Sequence, residues 1–278
     1  MRLVSQLFAN RRSATADAAR IAAFEVNPVS YSALIGSACI AGAAWGAIYY
    51  ATYAVRSQLL GPTIWRGDEN AGAVALTFDD GPAESTPEIL EILAAHDVPA
   101  TFFMIGREVE RRPTVARAVA AAGHEIGNHS YTHPIYLYCT AHRTRWELRR
   151  AQEAIANVTG VVPLWVRPPC GVRTRAYFRA ACELDLVTVQ WTVAGFDWKR
   201  RNASDIARTV TKALVPGAII LLHDGDSSNR RDRRETAAAL PLIISGARAR
   251  GWRFVPLVEL IGEAARALRS SDFGKERR

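Results

Sequence analysis

Two adjacent carboxylates follow an apolar segment of the chain. Asp79 and Asp80 come directly after Ala73 to Phe78, which is predicted to form a buried strand. Neighbouring carboxylates repel each other, so a cation or several hydrogen-bond donors should stabilise the pair. The Asp-Gly-Pro sequence that follows is also a common turn signal, and an Asp that only supports a turn is the alternative. Taken alone, this motif leaves both interpretations open.

A second motif contains two histidines four residues apart. His129 and His133 follow the short predicted strand His124–Gly127. The spacing predicts that both lie on one face of a helical turn, where they could share one metal ion. With Asp80 the set becomes two imidazoles and one carboxylate, which leaves coordination positions open for water and substrate. We therefore predict a catalytic metal site, although a pair of surface histidines is often without function.

Three further motifs follow later predicted strands. Arg167 could form an ion pair with Asp79, and the stiff prolines after it could fix a backbone N–H toward a substrate. The last of the three motifs places an imidazole at the mouth of the most apolar strand. Each motif has an ordinary alternative: a rigid turn, a packed tryptophan or a structural histidine. The motifs are Arg167-Pro168-Pro169-Cys170-Gly171, Asp197-Trp198 and Leu221-Leu222-His223-Asp224-Gly225.

The elements that must position these side chains alternate between strand and helix. The predicted strands are Ala73–Phe78, Ala100–Ile105, His124–Gly127, Leu164–Val166, Leu186–Trp191, Ala218–Leu222 and Trp252–Val255. The predicted helices are Thr86–Ala95, Val109–Ala122, His142–Val158, Arg173–Leu184, Ala203–Leu214, Arg234–Arg250 and Leu257–Leu268. Strands apolar on both faces indicate a parallel sheet covered by helices, either a closed barrel or an open doubly wound sheet. The absence of a glycine fingerprint after the first strand disfavours a dinucleotide-binding fold.

The N-terminal region has a different character from the rest of the chain. Tyr31 to Tyr53 lies in an uncharged stretch and is long enough to cross a bilayer as a helix of about 20 residues. More arginines precede it than follow it, which favours a cytoplasmic N-terminus and a catalytic part outside the cytoplasm. A buried soluble helix and a cleaved signal peptide are the alternatives. Gly42 and Gly46 have the spacing that lets two such helices approach closely, so a homodimer is a further expectation.

These features give the expected domain organisation and limit the partners. The predicted regions are a cytoplasmic segment 1–30, a transmembrane anchor 31–55, a linker 56–71, a catalytic domain 72–268 and a charged tail 269–278. The net charge of +8 is spread along the chain without a nucleic-acid motif, so we expect a solvated basic surface and no nucleic-acid partner. The four cysteines show no C-x-x-C pair, which argues against a zinc ribbon and a dense disulfide framework.

The motifs occur in order, and each follows a predicted strand. In this pattern the segment from about Ala73 to Leu260 resembles the polysaccharide deacetylases of carbohydrate esterase family four, which include the nodulation-type chitooligosaccharide deacetylases. The resemblance implies an α/β fold, a distorted (β/α) barrel of about seven strands, preceded here by one N-terminal transmembrane helix. It also implies a divalent metal ion, commonly Zn²⁺, and hydrolysis of N-acetyl groups on the hexosamines of an N-acetylated glycan.

The same resemblance assigns roles to individual residues. Asp79 would be the catalytic base, oriented by Arg167. His223 would be the catalytic acid, tuned by Asp197. The backbone N–H of Cys170 would stabilise the oxyanion. The remaining roles are those of the metal ligands Asp80, His129 and His133 and of the acetyl-pocket residues Trp198 and Leu221.

Two positions depart from the pattern of the family. Cys170 stands where a Tyr is usual, and Ala194 stands where many relatives carry an acidic residue, which leaves Asp197 as the acidic group of that motif. A thiol beside a metal is expected to be thiolate-like and sensitive to oxidation. The alternative activities are hydrolysis of an O-acetyl ester or another amide on the same scaffold. A noncatalytic glycan-binding envelope protein is the alternative from a different class.

Overall fold

The computed structural model describes residues 28–228 and 231–262, with side chains from residue 33 onward. The chain divides into a unit Met1–Tyr49 and a unit Tyr50–Arg278. Helix α1, Pro28–Tyr53, begins in the first unit and ends in the second. Nearly all of the expected cytoplasmic segment and all of the charged tail lie outside the described residues.

Helix α1 has the length and composition expected of a membrane span. Ala33–Tyr53 has a mean hydropathy of 1.4, and none of its most apolar window is buried. Leu34 and Trp45 are among its exposed side chains. This exposure does not fit the alternative of a buried soluble helix. A signal sequence has the same length and apolar composition, so that alternative stays open.

The second unit contains the alternating elements that the sequence predicts. Its strands are β1 Ala73–Asp79, β2 Ala100–Met104, β3 Glu125–Asn128, β4 Trp165–Val166, β5 Val187–Thr188, β6 Val193–Ala194, β7 Ile219–His223 and β8 Arg253–Phe254. Its helices are α2 Thr86–Ala95, α3 Gly106–Arg111, α4 Pro113–Ala121, α5 Ala141–Thr159, α6 Arg175–Glu183, α7 Ala203–Ala213, α8 Arg234–Arg248 and α9 Leu257–Ile261. Two short 3₁₀ turns lie at Tyr136–Tyr138 and Pro169–Gly171.

The strands form one curled parallel sheet. Their order is β5-β4-β3-β2-β1-β7-β6, and β8 pairs with β1. The predicted distorted (β/α) barrel is therefore confirmed, with one strand more than expected, the two-residue β6. The ladder runs from β5 to β6 without closing among the described residues.

Part of the expected linker 56–71 belongs to the folded sheet region. Ile64 forms a parallel bridge to Val189, beside β5, and Arg66 forms an antiparallel bridge to Ala218, just before β7. Ile64 is buried in the same apolar cluster as strand residues of the sheet. This segment therefore extends the sheet near its open side.

The side chains of strand β1 lie on two faces, and Asp79 lies on the face opposite to the large apolar core. All seven residues of β1 are buried. Val74, Leu76 and Phe78 belong to the large core cluster, whereas Ala73 and Ala75 belong to a smaller second cluster to which α9 contributes. Because side chains alternate along a strand, Thr77 and Asp79 continue the face of the two alanines. The carboxylate is thus directed away from the large core cluster.

Two predicted helices have different bounds in the structure. The predicted helix Val109–Ala122 is two helices, separated at Arg112, whose φ of −128° and ψ of 57° are not helical. Pro113 accounts for the break, since proline lacks the N–H of a helical bond and disfavours a helical residue before it. The predicted helix Leu257–Leu268 is described only as α9, which ends at Ile261, and its later residues lie outside the described part.

Candidate active site

The parallel sheet brings the predicted motifs together at the carboxyl ends of its strands. Asp79 ends β1 and is the register partner of His223, which ends β7. His129 directly follows β3, and Arg167 directly follows β4, the next strand in the sheet. Since parallel strands end at one edge, residues far apart in sequence become neighbours there.

Asp80, His129 and His133 form the one cluster of potential metal ligands found among the described residues. One ligand atom from each lies within 4.8 Å of the others. Asp80 Oδ1 is 3.5 Å from His129 Nε2 and 3.2 Å from His133 Nε2. His129 Nδ1 lies 2.8 Å from the Arg167 carbonyl oxygen. A proton on Nδ1 would donate to that carbonyl and leave Nε2 free to bind a metal.

The residues present fit a divalent metal ion. Asp80 Oδ1 is buried and accepts no hydrogen bond from the described residues, which is costly for a carboxylate unless a cation satisfies it. Burial raises the pKa of Asp80, but the nearby imidazoles of His129, His133 and His223 together lower it below its ordinary value. Burial is the main reason that the pKa of His133 falls to about 4. A carboxylate and a neutral imidazole are the forms that bind metal.

The segment that carries the histidines is a loop, so the predicted helical turn is wrong. Ser130 and His133 have φ values of 67° and 63°, in the left-handed region that a helix excludes. Glu147 of α5, fully buried, holds this loop by accepting hydrogen bonds from the backbone of Tyr131 and Thr132 at 3.0 and 2.7 Å. The two imidazoles still converge, with ring centroids 5.0 Å apart.

Asp79 is paired with Arg167, as the sequence predicts. The Arg167 guanidinium is fully buried and donates to Asp79 Oδ1 at 2.7 Å and to Thr77 Oγ1 at 2.8 Å. Its other nitrogens donate to backbone carbonyls beyond β5, and its charge lies 4.1 Å from the centroid of Phe103. Asp79 Oδ2 lies 3.7 Å from His129 Nε2. The pairing fixes one carboxylate oxygen and directs the other toward the ligand cluster.

His223 and Asp197 form a second charged pair on the opposite side of Asp79 from Arg167 in the strand order. Asp197 Oδ1 lies 2.8 Å from His223 Nδ1, and Oδ2 accepts hydrogen bonds from the His223 amide and from Thr236. Burial alone would lower the pKa of His223, but the Asp197 carboxylate, with Asp80 and Asp79, raises it to about 9. The imidazole is therefore protonated at neutral pH.

Comparison with known proteins agrees with this geometry. The polysaccharide deacetylase family model matches residues 66–189. The chitooligosaccharide deacetylase of Bradyrhizobium sp. (strain ANU 289) is 36% identical over 197 residues, which cover 68% of this chain and 90% of that protein. The chain belongs to the polysaccharide deacetylase family.

Two further comparisons are with peptidoglycan deacetylases. The peptidoglycan-N-acetylglucosamine deacetylase PgdA of Listeria monocytogenes is 36% identical over 191 residues, which cover 68% of this chain and 39% of that protein. The chain thus spans about two-fifths of the length of PgdA. The crystal structure of the Bc1960 peptidoglycan N-acetylglucosamine deacetylase, bound to a naphthyl N-hydroxybenzamide, superposes with a TM-score of 0.68 at 35% identity. That match covers 72% of this chain and 92% of the other.

The remaining predicted residues border the same site. Trp198 packs edge-on against His223, with ring centroids 5.3 Å apart, and Leu221 is buried in β7 beside Thr77. Cys170 lies in the 3₁₀ turn with a φ of 55°. The Gly171 and Val172 amides are used inside that turn, whereas no acceptor among the described residues takes the Cys170 amide.

The residues of the chain by themselves do not favour a thiolate at Cys170, and its thiolate-like character beside a metal stays a prediction. Burial, followed by the negative charges of Asp80 and Asp79, raises the pKa of the thiol. Both carboxylates disfavour a second anion beside them. The side chain of Cys170 is nevertheless exposed, so it contributes to the shape of the site rim.

Two buried carboxyl groups, those of Glu147 and Asp224, position the site, and the sequence pattern assigned neither of them a role. Glu147 holds the histidine loop, as described above. Asp224 accepts a hydrogen bond from Thr86 at 2.6 Å and lies under the turn that follows Asp80. A Cβ added at Gly81 would come within 2.0 Å of the Asp224 carboxylate, which requires glycine there. Burial raises the pKa of Asp224 to about 7. The sequence signal for Asp224 was its position directly after His223 at the end of an apolar strand.

Proposed function

We propose that this deacetylase hydrolyses N-acetyl groups on the hexosamine residues of an envelope glycan and releases acetate. The proposal depends on one observation: the cluster of potential metal ligands lies beside two ion pairs. These pairs are Asp79 with Arg167 and His223 with Asp197. One pair offers a carboxylate and the other a protonated imidazole, which are the two groups that hydrolysis of an amide needs. The relatives named above carry chitooligosaccharide and peptidoglycan in their names.

The metal-binding part of the proposal assigns Asp80, His129 and His133 as the ligands of one divalent ion, with Zn²⁺ as the ion. Two imidazoles and one carboxylate are typical ligands of catalytic zinc. When bound, the ion would supply Lewis acidity that polarises the substrate carbonyl and lowers the pKa of water. The Arg167 carbonyl would hold the ring of His129 in the orientation that this requires.

The reacting groups of the chain follow from their positions. Asp79 takes a proton from the attacking water, and Arg167 holds the carboxylate in place. The unpaired amide of Cys170 donates to the oxygen that becomes negative, a type of contact whose loss typically costs about 100- to 1,000-fold in rate. His223 then gives its proton to the departing amine, and Asp197 stabilises the charged imidazole.

Trp198 and Leu221 are proposed to line the pocket for the acetyl methyl group. Trp198 contacts the ring of His223, and Leu221 lies on the strand that His223 ends. An apolar wall beside the proton donor would exclude water from the side of the leaving group. The usual acidic residue of this region is replaced by Ala194, which is a register partner of Leu221 in the sheet.

We further propose that α1 is an uncleaved anchor and that the deacetylase domain lies outside the cytoplasm. The apolar composition of Ala33–Tyr53 and the exposure of its most apolar window support this placement, as does the arginine bias of the sequence. A homodimer through Gly42 and Gly46 stays a prediction. Mass spectrometry of the membrane-bound mature protein would distinguish an anchor from a cleaved signal sequence.

Acetate release tests the proposed function directly. We expect the protein to release acetate from oligomers of N-acetylglucosamine and to lose this activity after treatment with a zinc chelator. Added Zn²⁺ should restore it. O-acetylated glycans and cyclic amides, assayed in parallel, test the alternative activities. Acetate release from none of the N-acetylated substrates, under conditions in which zinc is bound, would contradict the proposal.

Replacing Asp197 by Asn should shift the alkaline limb of the plot of activity against pH. Because the parent needs protonated His223, its activity should fall as pH rises through about 9. Removing the carboxylate leaves burial, which lowers the pKa of His223, so the limb should move to lower pH by about one unit or more. Rate measurements between pH 6 and pH 10 would show it. Thr236→Val removes a hydrogen bond but keeps the charge of Asp197, so its limb should stay near that of the parent.

A further inference from the structure

Four cationic side chains that lie close to Trp198 in the sequence or in the fold have no part in the reaction proposed above. We call this group the cationic rim, and its members are Lys199, Arg200, Arg201 and Arg231. Lys199, Arg200 and Arg231 are exposed, and Arg201 is half-buried. Lys199, Arg200 and Arg201 directly follow Trp198 in the sequence, and the fold adds Arg231, which donates to the Trp198 carbonyl. The rim therefore differs from a dispersed basic surface.

A continuous series of contacts joins the rim to the catalytic groups. The ring of Trp198 contacts His223, and the ring of Phe196 lies 5.1 Å from that of Trp198. Lys199 Nζ lies 5.1 Å from the Phe196 ring centroid. Arg231 donates to the Trp198 carbonyl at 2.7 Å. A substrate that reaches His223 across Trp198 therefore meets positive charge within one or two side chains.

The charges of the rim are not neutralised within the described part of the chain. None of its four members forms an ion pair with a described acidic side chain. Asp197 is buried and bound to His223, and Asp226 lies 3.9 Å from Arg233. Arg201 donates only to the hydroxyl of Thr209. The rim thus presents positive charge to solvent at the edge of the site.

The backbone conformation of Phe196 indicates that the surrounding structure holds this surface in place. Phe196 has a φ of 54°, which is unusual for a bulky aromatic residue, and its side chain is 38% exposed. Such outliers persist only where the surrounding structure imposes them, and they concentrate at ligand sites. The exposed ring offers an apolar face between Trp198 and two cations, Lys199 and Arg201. A sugar ring could pack on that face while an anionic substituent meets the cations.

We propose that the cationic rim binds an anionic substituent, a carboxylate or a phosphate, on a sugar next to the one that is deacetylated. The inference rests on the proposed function and defines its substrate class as an acidic rather than a neutral glycan. Exposed charges attract an anion over a range set by the salt concentration, so the preference should weaken as ionic strength rises.

The test compares kcat/KM on chains of equal length. One chain is a neutral N-acetylglucosamine tetramer, the second carries a carboxylate on alternate sugars, and the third carries a phosphate there. We expect the parent to prefer an anionic chain, and Lys199→Gln with Arg200→Gln to lower the ratio of anionic to neutral kcat/KM about three- to tenfold. The chain that shows the larger drop identifies the anion as carboxylate or phosphate.

A charge-matched control is available on the helices remote in sequence from the rim. Arg117 of α4 and Arg149 of α5 are exposed, and their double substitution by Gln removes the same charge. The control should retain the parental ratio. Equal kcat/KM of the parent on all three chains, or the same drop in control and rim variants, would overturn this proposal alone. Acetate release from none of the chains would overturn the proposed function as well.

Discussion

Replacing Asp79 by Asn is expected to lower the rate of acetate release about 100- to 10,000-fold, the usual contribution of a general base. The amide has nearly the shape of the carboxylate but cannot take a proton from water. Its oxygen can still accept the hydrogen bond from Arg167 that the carboxylate accepts at 2.7 Å. Because Asp79 is not among the three proposed ligands, zinc should remain bound with an affinity close to that of the parent.

The buried position of Arg167 makes folding a necessary second measurement for this variant. Its guanidinium is fully buried, and Asp79 is its only ion-pair partner among the described residues. Loss of a buried counter-ion can cost about 3–5 kcal/mol of stability. Circular dichroism, thermal unfolding and zinc content should accompany the rate. Asp205→Asn, at the exposed pair of Asp205 with Arg208, is a matched control and should keep parental turnover.

A variant that keeps its fold and zinc but also keeps parental turnover would contradict the role of Asp79. A fall in rate that only follows the fraction of unfolded protein would contradict it equally. Assays at several pH values add a further criterion, because a missing base cannot be restored by the protonation of His223. The activity should therefore stay low on the whole plateau.

Much of the site was predictable because its residues lie at the ends of strands. Apolar segments mark β1 and β7, and the parallel arrangement places their ends side by side, so Asp79 and His223 become register partners. Arg167 follows β4 for the same reason. In these cases local sequence determines the element, and the sheet determines the contact.

Other features depend on contacts that local sequence does not specify. The loop of His129 and His133 has left-handed residues because Asn128 and Glu147 satisfy its backbone, and Glu147 looks like an ordinary helix residue. A spacing of four residues is shared by a helical turn and by this loop, so the pattern identified two histidines that do lie together but predicted the wrong conformation.

The raised pKa of the Cys170 thiol illustrates a further limit. The sequence placed Cys170 near a metal, and from that position alone a thiolate was expected. The structure adds Asp79 and Asp80 on the same side and partial burial, and both effects favour the neutral thiol. The sign of an electrostatic shift depends on all neighbours, which only the fold brings together.

His129→Ala is expected to weaken zinc binding by about 100-fold or more, since even the loss of an outer partner of a ligand costs about 10- to 100-fold. Activity without added metal should fall to background. The substitution removes one of the two Nε2 atoms near Asp80 Oδ1 and also the contact with the Arg167 carbonyl. His142→Ala removes an exposed imidazole outside the cluster and should leave zinc content unchanged.

Zinc content after dialysis, together with competition against a chelator, separates this variant from Asp79→Asn. The asparagine variant should contain zinc and lack turnover, whereas the alanine variant should lack zinc and regain part of its turnover at high zinc concentration. Parental zinc affinity in His129→Ala would remove that residue from the ligand set. Asp79 would then be the candidate for the third ligand, because its Oδ2 lies 3.7 Å from His129 Nε2. The two variants thus distinguish the residues that hold the ion from the residue that moves the proton.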